Sequence, residues 1–132
     1  MVYTYYNIGR LIVENEQNGK EKAKYGKETL KKLSKELTSE FGKGFSVQNL
    51  DRMRVFYKIY SKSSTVSRKF TLSWSHYVFL MRKGEIERKF YEKESEINNW
   101  SLRDLKRQFN IEEFILELGK GFLFSGRKEK MI

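Results

Sequence analysis

Apolar residues along this chain recur mainly at helical spacing. Tyr5, Ile8, Gly9, Ile12 and Val13 follow the i, i+3, i+4, i+7, i+8 pattern of one helix, which runs out in Asn18-Gly19. Leu30, Leu33, Leu37 and Phe41 form the stripe of a second helix, with Lys31, Lys32, Lys35 and Glu36 on its wet side. Gly42 ends that helix, because a glycine just past the last turn tolerates positive φ. Beyond the tight Gly42-Lys43-Gly44 turn, Ser46 is a good N-cap for a third helix reaching about Tyr60.

The pattern then changes. Ser61 to Ser67 is polar and serine-rich and reads as a loop. Phe70 and Leu72 alternate with polar residues and suggest a short strand. Trp74, Tyr77, Val78 and Met81 restore helical spacing up to Gly84, and Ile86, Phe90 and Ile97 suggest another helix. Ser101 with Asp104 three residues on resembles a capping box, opening a short helix with Leu102, Leu105 and Phe109. Ile111, Phe114, Ile115 and Leu118 share the face of a last helix ending at Gly119, and Phe122-Leu123-Phe124 has the look of a buried strand start. The two Gly-Lys-Gly runs, at 42–44 and 119–121, read as helix stops. Neither has the longer glycine-rich spacing of a phosphate-binding loop.

Composition narrows the class. At 132 residues there is room for one domain, or one domain and a fragment of a second. With 39% of the chain hydrophobic and 15% aromatic, a real core can be buried. No cysteine is present, which excludes disulfides, thiolate metal sites and cysteine nucleophiles and fits a cytoplasmic location. Met1–Val13 carries tyrosines, Asn7 and Arg10 rather than the smooth apolar run of a signal peptide, and no segment has the ~18–20 apolar residues of a membrane span. The charge of +10, from 27 basic and 17 acidic residues, favours a polyanion, nucleic acid or anionic lipid, as partner. It is placed unevenly: residues 1–110 hold 23 basic and 13 acidic groups, residues 111–132 four of each.

The helix–glycine turn–helix from Leu30 to Tyr60 is the most informative constellation. A DNA-binding helix-turn-helix needs a short turn and a second helix whose N-terminal half can enter the major groove. Here that half offers Ser46, Gln48, Asn49, Asp51 and Arg52, including groups that hydrogen-bond base edges. Its later half, Met53, Phe56, Tyr57, Ile59 and Tyr60, is apolar nearly all round. An ordinary hairpin with a solvated polar end has the same pattern. Lysines at 20, 22, 24, 27, 31, 32 and 35 form a strip that could face phosphates or equally a solvated face with Glu21, Glu28 and Glu36 interspersed. Arg68, Lys69, Arg82, Lys83, Arg88 and Lys89 make a third basic set, with Trp74 and Tyr77 near it in sequence but read as core. His76, the one histidine, has Ser73 and Ser75 close by but no nucleophile elbow and no ligand partners, so it reads as structural or surface. Glu87-Arg88-Lys89 matches Glu-x-Lys but lacks a preceding strand-borne Asp, so no catalytic site and no metal site is assigned.

Several runs resemble the YhcG-like proteins: Tyr6 to Glu14, Tyr25-Gly26-Lys27, Leu33 to Leu37, Phe41 to Ser46, Asn49-Leu50 with Met53 to Tyr57, Leu72 to Tyr77, and Asn99-Trp100-Ser101. These are bacterial proteins predicted to be PD-(D/E)XK nucleases with an N-terminal winged-helix-like domain. Glu112 to Phe122 resembles the opening helix and first strand of that family's nuclease domain. The family's strand-borne Asp and Glu-x-Lys follow further along, beyond Ile132, and Glu112 or Glu113 would match its helix acid. The family also has a connecting stretch where Asn110 and Ile111 abut here, so additional residues at that junction are an expectation.

Together these give a mainly α chain. Residues 1–110 are expected to be a helix-turn-helix or winged-helix-like DNA-binding domain, and residues 111–132 a short α–β opening of a nuclease domain. Ser46, Gln48, Asn49, Arg52, Lys31, Lys35 and Lys43 are the candidate nucleic-acid contacts. DNA is the expected partner and self-association is open, with neither membrane nor small-molecule substrate. No cofactor is expected in this chain, although the resemblance implies divalent metal, such as Mg, for the whole nuclease. The alternative is a helical protein–protein interaction or oligomerisation module in which Phe56, Tyr57, Ile59 and Tyr60 meet a partner.

Overall fold

A computed structural model describes residues 1–17, 22–62 and 69–119, with side chains at 17 and 22–27 left aside. Six helices follow in order: α1 Val2–Gln17, α2 Lys22–Phe41, α3 Val47–Tyr60, α4 Trp74–Leu80, α5 Glu85–Asn98 and α6 Leu102–Leu118. Among the described residues there is no strand. The chain divides into two compact units, Met1–Lys83 and Gly84–Ile132.

In the first unit, α1 and α3 pack along each other and α2 lies against both. The helical stripes of the sequence become its core. Tyr5, Ile12, Leu30, Leu50 and Met53 are buried together, and Ile8, Leu33, Leu37, Phe45 and Trp74 close over them. Gly9 sets the spacing of α1 and α3. A Cβ there would run into the backbone carbonyl of Met53 and touch Tyr57 Cβ, so only glycine permits this approach. Arg54 of α3 reaches back to α1, its Nε donating to both carboxylate oxygens of Glu16 at 2.7 and 2.9 Å.

A second, aromatic layer extends the core toward α4. Phe56 is fully buried, with the rings of Tyr60, Phe70, Trp74 and Tyr77 all centred within 4.8–5.2 Å of its own. Phe70 and Leu72 do not form the expected strand. Their amide hydrogens are taken by phenols instead, Phe70 N–H by Tyr3 at 3.0 Å and Leu72 N–H by Tyr77 at 3.4 Å. With these donors used, the segment has no ladder to offer a neighbour. The Ser61–Ser67 loop, Asn18-Gly19 and the Phe122–Phe124 strand lie wholly or largely outside the described residues.

α4 opens on a capping box. The Ser73 hydroxyl accepts from His76 N–H at 3.3 Å, while His76 Nδ1 accepts from Ser73 N–H at 3.3 Å and lies 2.6 Å from the Ser73 hydroxyl. His76 is buried there and is a helix-capping residue.

In the second unit, Ser101 and Asp104 form the expected capping box at 3.1 Å in both directions. Ile86, Phe90 and Ile97 lie on the expected helix, on its exposed side, and the buried positions of α5 are Tyr91, Glu92 and Ser95. The expectation of two helices around Asn110 is corrected: the short helix ending at Phe109 and the one starting at Ile111 are a single element. α6 passes through Asn110–Ile111 unbroken because no glycine or proline stands between Ser101 and Gly119. Its apolar residues Ile111, Phe114, Ile115 and Leu118 are exposed among the described residues.

Candidate functional site

The α2–α3 turn is fixed from both sides. Gly42 and Gly44 take φ of 87° and 107°, conformations that side chains with a Cβ adopt only with strain. From α2, the Ser34 hydroxyl donates to the Phe45 carbonyl at 2.6 Å. From α3, the Asn49 amide donates to the Gly44 carbonyl at 2.6 Å, and its oxygen accepts from the Trp74 indole at 3.1 Å. Ser46 caps α3, its hydroxyl accepting from Asn49 N–H at 3.1 Å.

This separates the sequence candidates into two groups. Ser46 and Asn49 spend their polar atoms on cap, turn and α4. Gln48 is exposed and Arg52 half-exposed, in register one turn apart on the outer side of α3. Lys31 and Lys35, also one turn apart, are exposed on α2, and Lys43 is exposed in the turn. Among the described residues none of Lys31, Lys35, Lys43 or Arg52 has an acidic partner.

The electrostatics follow the structural division more sharply than the sequence suggested. Met1–Lys83 carries 17 basic and 7 acidic residues, and Gly84–Ile132 carries ten of each. The whole net charge of +10 therefore belongs to the unit that contains the α2–α3 turn, and residues 84–110, expected to share in it, are balanced.

The other constellations disperse. Lys20 and Arg68 lie outside the described residues, as do the side chains of Lys22, Lys24 and Lys27. Lys83 sits over the Phe79 ring at 4.4 Å, and Lys89 pairs with Glu85 one turn away at 3.0 Å. Tyr77 is fully buried and Trp74 packs edge-on against Tyr5 and Phe56, so both are core. Phe56 and Tyr60, two of the four residues assigned to partner contact in the alternative reading, are buried within the unit. Among the described residues no three His, Cys, Asp or Glu side chains are grouped to hold a metal ion, and no helix is long and apolar enough to cross a membrane.

In the second unit, Tyr91 and Glu112 form a link between α5 and α6 that the sequence did not signal. Burial holds the Tyr91 phenol above its ordinary range, reinforced by the charge of Glu112, the hydrogen bond to it, and the charges of Glu113 and Glu87.

The family described as DUF1016 N-terminal domain matches residues 1–115, spanning both units and crossing Asn110–Ile111. A protein of Escherichia coli (strain K12) named "Putative nuclease YhcG" is 38% identical over 139 residues, covering 82% of this chain and 37% of the relative. The matched span of the relative is longer than the part of this chain it covers, so the relative carries additional residues within it, and this chain spans well under half of the relative's length. No solved structure matches. With the family match over most of its length and this relative beside it, the chain belongs to the YhcG-like family.

Proposed function

We propose that Met1–Lys83 is a duplex-DNA-binding module that delivers a nuclease to its substrate. The observation that carries this is electrostatic: the entire +10 surplus lies in the unit whose α3 projects Gln48 and Arg52 outward from a rigid turn. In this reading the N-terminal half of α3 enters the major groove. Gln48 suits adenine and Arg52 suits guanine, while Lys31, Lys35 and Lys43 contact phosphates and contribute affinity without sequence information. Ser46 and Asn49 hold the turn and present α3. The relative's name supports placing the module in a nuclease.

The finer assignments belong to the same proposal. The first domain is winged-helix-like, and residues from 111 onward open a PD-(D/E)XK-type domain that takes a divalent metal, such as Mg. The protein works in the cytoplasm.

The test is binding of this chain to a mixed-sequence duplex across a salt series, beside a Gln48→Ala, Arg52→Ala double variant. A steep loss of affinity with salt and weaker binding by the variant are expected. No binding at low salt would overturn the proposal.

A further inference from the structure

The outer face of α3 carries an acid that a purely phosphate-binding surface would not contain. Gln48, Asp51, Arg52 and Val55 stand at i, i+3, i+4 and i+7 and form one stripe, opposite the buried residues Leu50, Met53, Phe56 and Tyr60. The Asp51 side chain is 54% exposed and is held on one edge: Oδ1 lies 3.6 Å from Nη1 of Arg54. Arg54 is itself anchored to α1 through Glu16, so the carboxylate is oriented by a chain of charge pairs reaching into the fold. The second oxygen has no partner among the described residues.

We infer that Asp51 is a specificity-determining residue that reads a cytosine in the major groove. This rests on the duplex-DNA reading above. An ionised carboxylate only accepts hydrogen bonds, and it is repelled by phosphate, so the backbone track is closed to it. The major groove offers two donors, the amino groups of cytosine and adenine. Adenine's amino group lies between two acceptors, its own N7 and the thymine O4, which repel a carboxylate, whereas cytosine's has an acceptor, the guanine O6, on one side only and the C5–H edge on the other. Asp51 therefore rejects phosphate contacts and selects one base chemistry, between a residue suited to adenine and one suited to guanine. A stripe of this composition belongs to a sequence-reading helix.

The experiment is selection of binding sites by this chain from a random duplex library, repeated with Asp51→Asn and Asp51→Ala. The wild-type chain enriches cytosine at one position over other bases on the order of tenfold. Asp51→Asn moves that position to adenine, because a carboxamide both donates and accepts, and Asp51→Ala flattens it; neighbouring positions keep their preference. Salt-dependent binding with no enriched position would overturn the inference and leave DNA binding standing. The same motif with all three proteins, merely bound more tightly by the variants, would make Asp51 no more than the helix partner of Arg54. Absence of binding at low salt would overturn the DNA reading itself.

Discussion

The Asn49 carboxamide accepts a hydrogen bond from the Trp74 indole across 3.1 Å while donating to the Gly44 carbonyl across 2.6 Å. Both ends of the amide are thus matched, oxygen to donor and nitrogen to acceptor. One side chain joins the start of α3 to its own turn and to α4, which is 25 residues away in sequence.

Removing it is expected to cost stability. Asn49→Ala removes a part-buried hydrogen bond to the Trp74 N–H and an exposed one to the Gly44 carbonyl, together worth about 1–2 kcal/mol. Trp74→Phe, combined with it in a double-mutant cycle, is expected to show coupling of about 0.5–1.5 kcal/mol. Urea unfolding followed by circular dichroism measures both. An Asn49→Ala variant of unchanged stability and weakened DNA binding would instead return Asn49 to the reading surface.

Gly9 supplies a second, independent prediction. In an exposed helix, Gly→Ala stabilises by about 0.5–1 kcal/mol. At Gly9 the added Cβ meets Met53 backbone, which cannot rotate away, so α1 and α3 must separate. We expect Gly9→Ala to destabilise the first unit by about 1–3 kcal/mol, as overpacking of a close contact does. A thermal melt at or above that of wild type would contradict the close approach.

Much of this was legible from the chain because it is local. Apolar spacing gave α1, α2 and α3, and Ser46 and Ser101 were readable as caps because capping depends on residues three apart. Gly42 was readable because a helix stop has its own residue chemistry. What was missed depends on pairs far apart in sequence. The pattern at Phe70 and Leu72 resembles a strand, yet Tyr3 and Tyr77 take its amide hydrogens. That Asn49 also ties α3 to α4 depends on Trp74, 25 residues further along. Asp51 was visible at the start of α3, but its orientation depends on Glu16 through Arg54. Ile86, Phe90 and Ile97 show the limit of periodicity, which signals a helix without saying which face is buried.

The Tyr91–Glu112 link predicts a pH dependence in the alkaline range. The Tyr91 phenol is held above its ordinary value of 10.0, chiefly by burial and then by the Glu112 charge. A folded-state pKa above the unfolded one means stability that is fully present below about pH 10 and declines as pH rises above it. Tyr91→Phe removes that term. The stability difference between wild type and Tyr91→Phe should hold constant up to about pH 9 and shift against wild type above pH 10. A difference that stays constant through the alkaline range would contradict the perturbed phenol.

On the first unit, affinity and sequence reading fall to different side chains. Lys31, Lys35 and Lys43 are exposed and lack acidic partners among the described residues, so each is available to displace a counterion from phosphate. On B-DNA each such contact contributes about 0.9 to the slope of log affinity against log salt. Replacing all three by alanine should therefore make that slope shallower by about 2–3 while leaving the preferred sequence unchanged. The Gln48→Ala, Arg52→Ala variant should do the reverse in kind, relaxing sequence preference, with a loss of slope limited to about one contact through Arg52. The two variants together test a division of labour between α2 with its turn and the outer stripe of α3. If the lysine variant keeps the full slope, these lysines are a solvated face and the phosphate track lies elsewhere on Met1–Lys83.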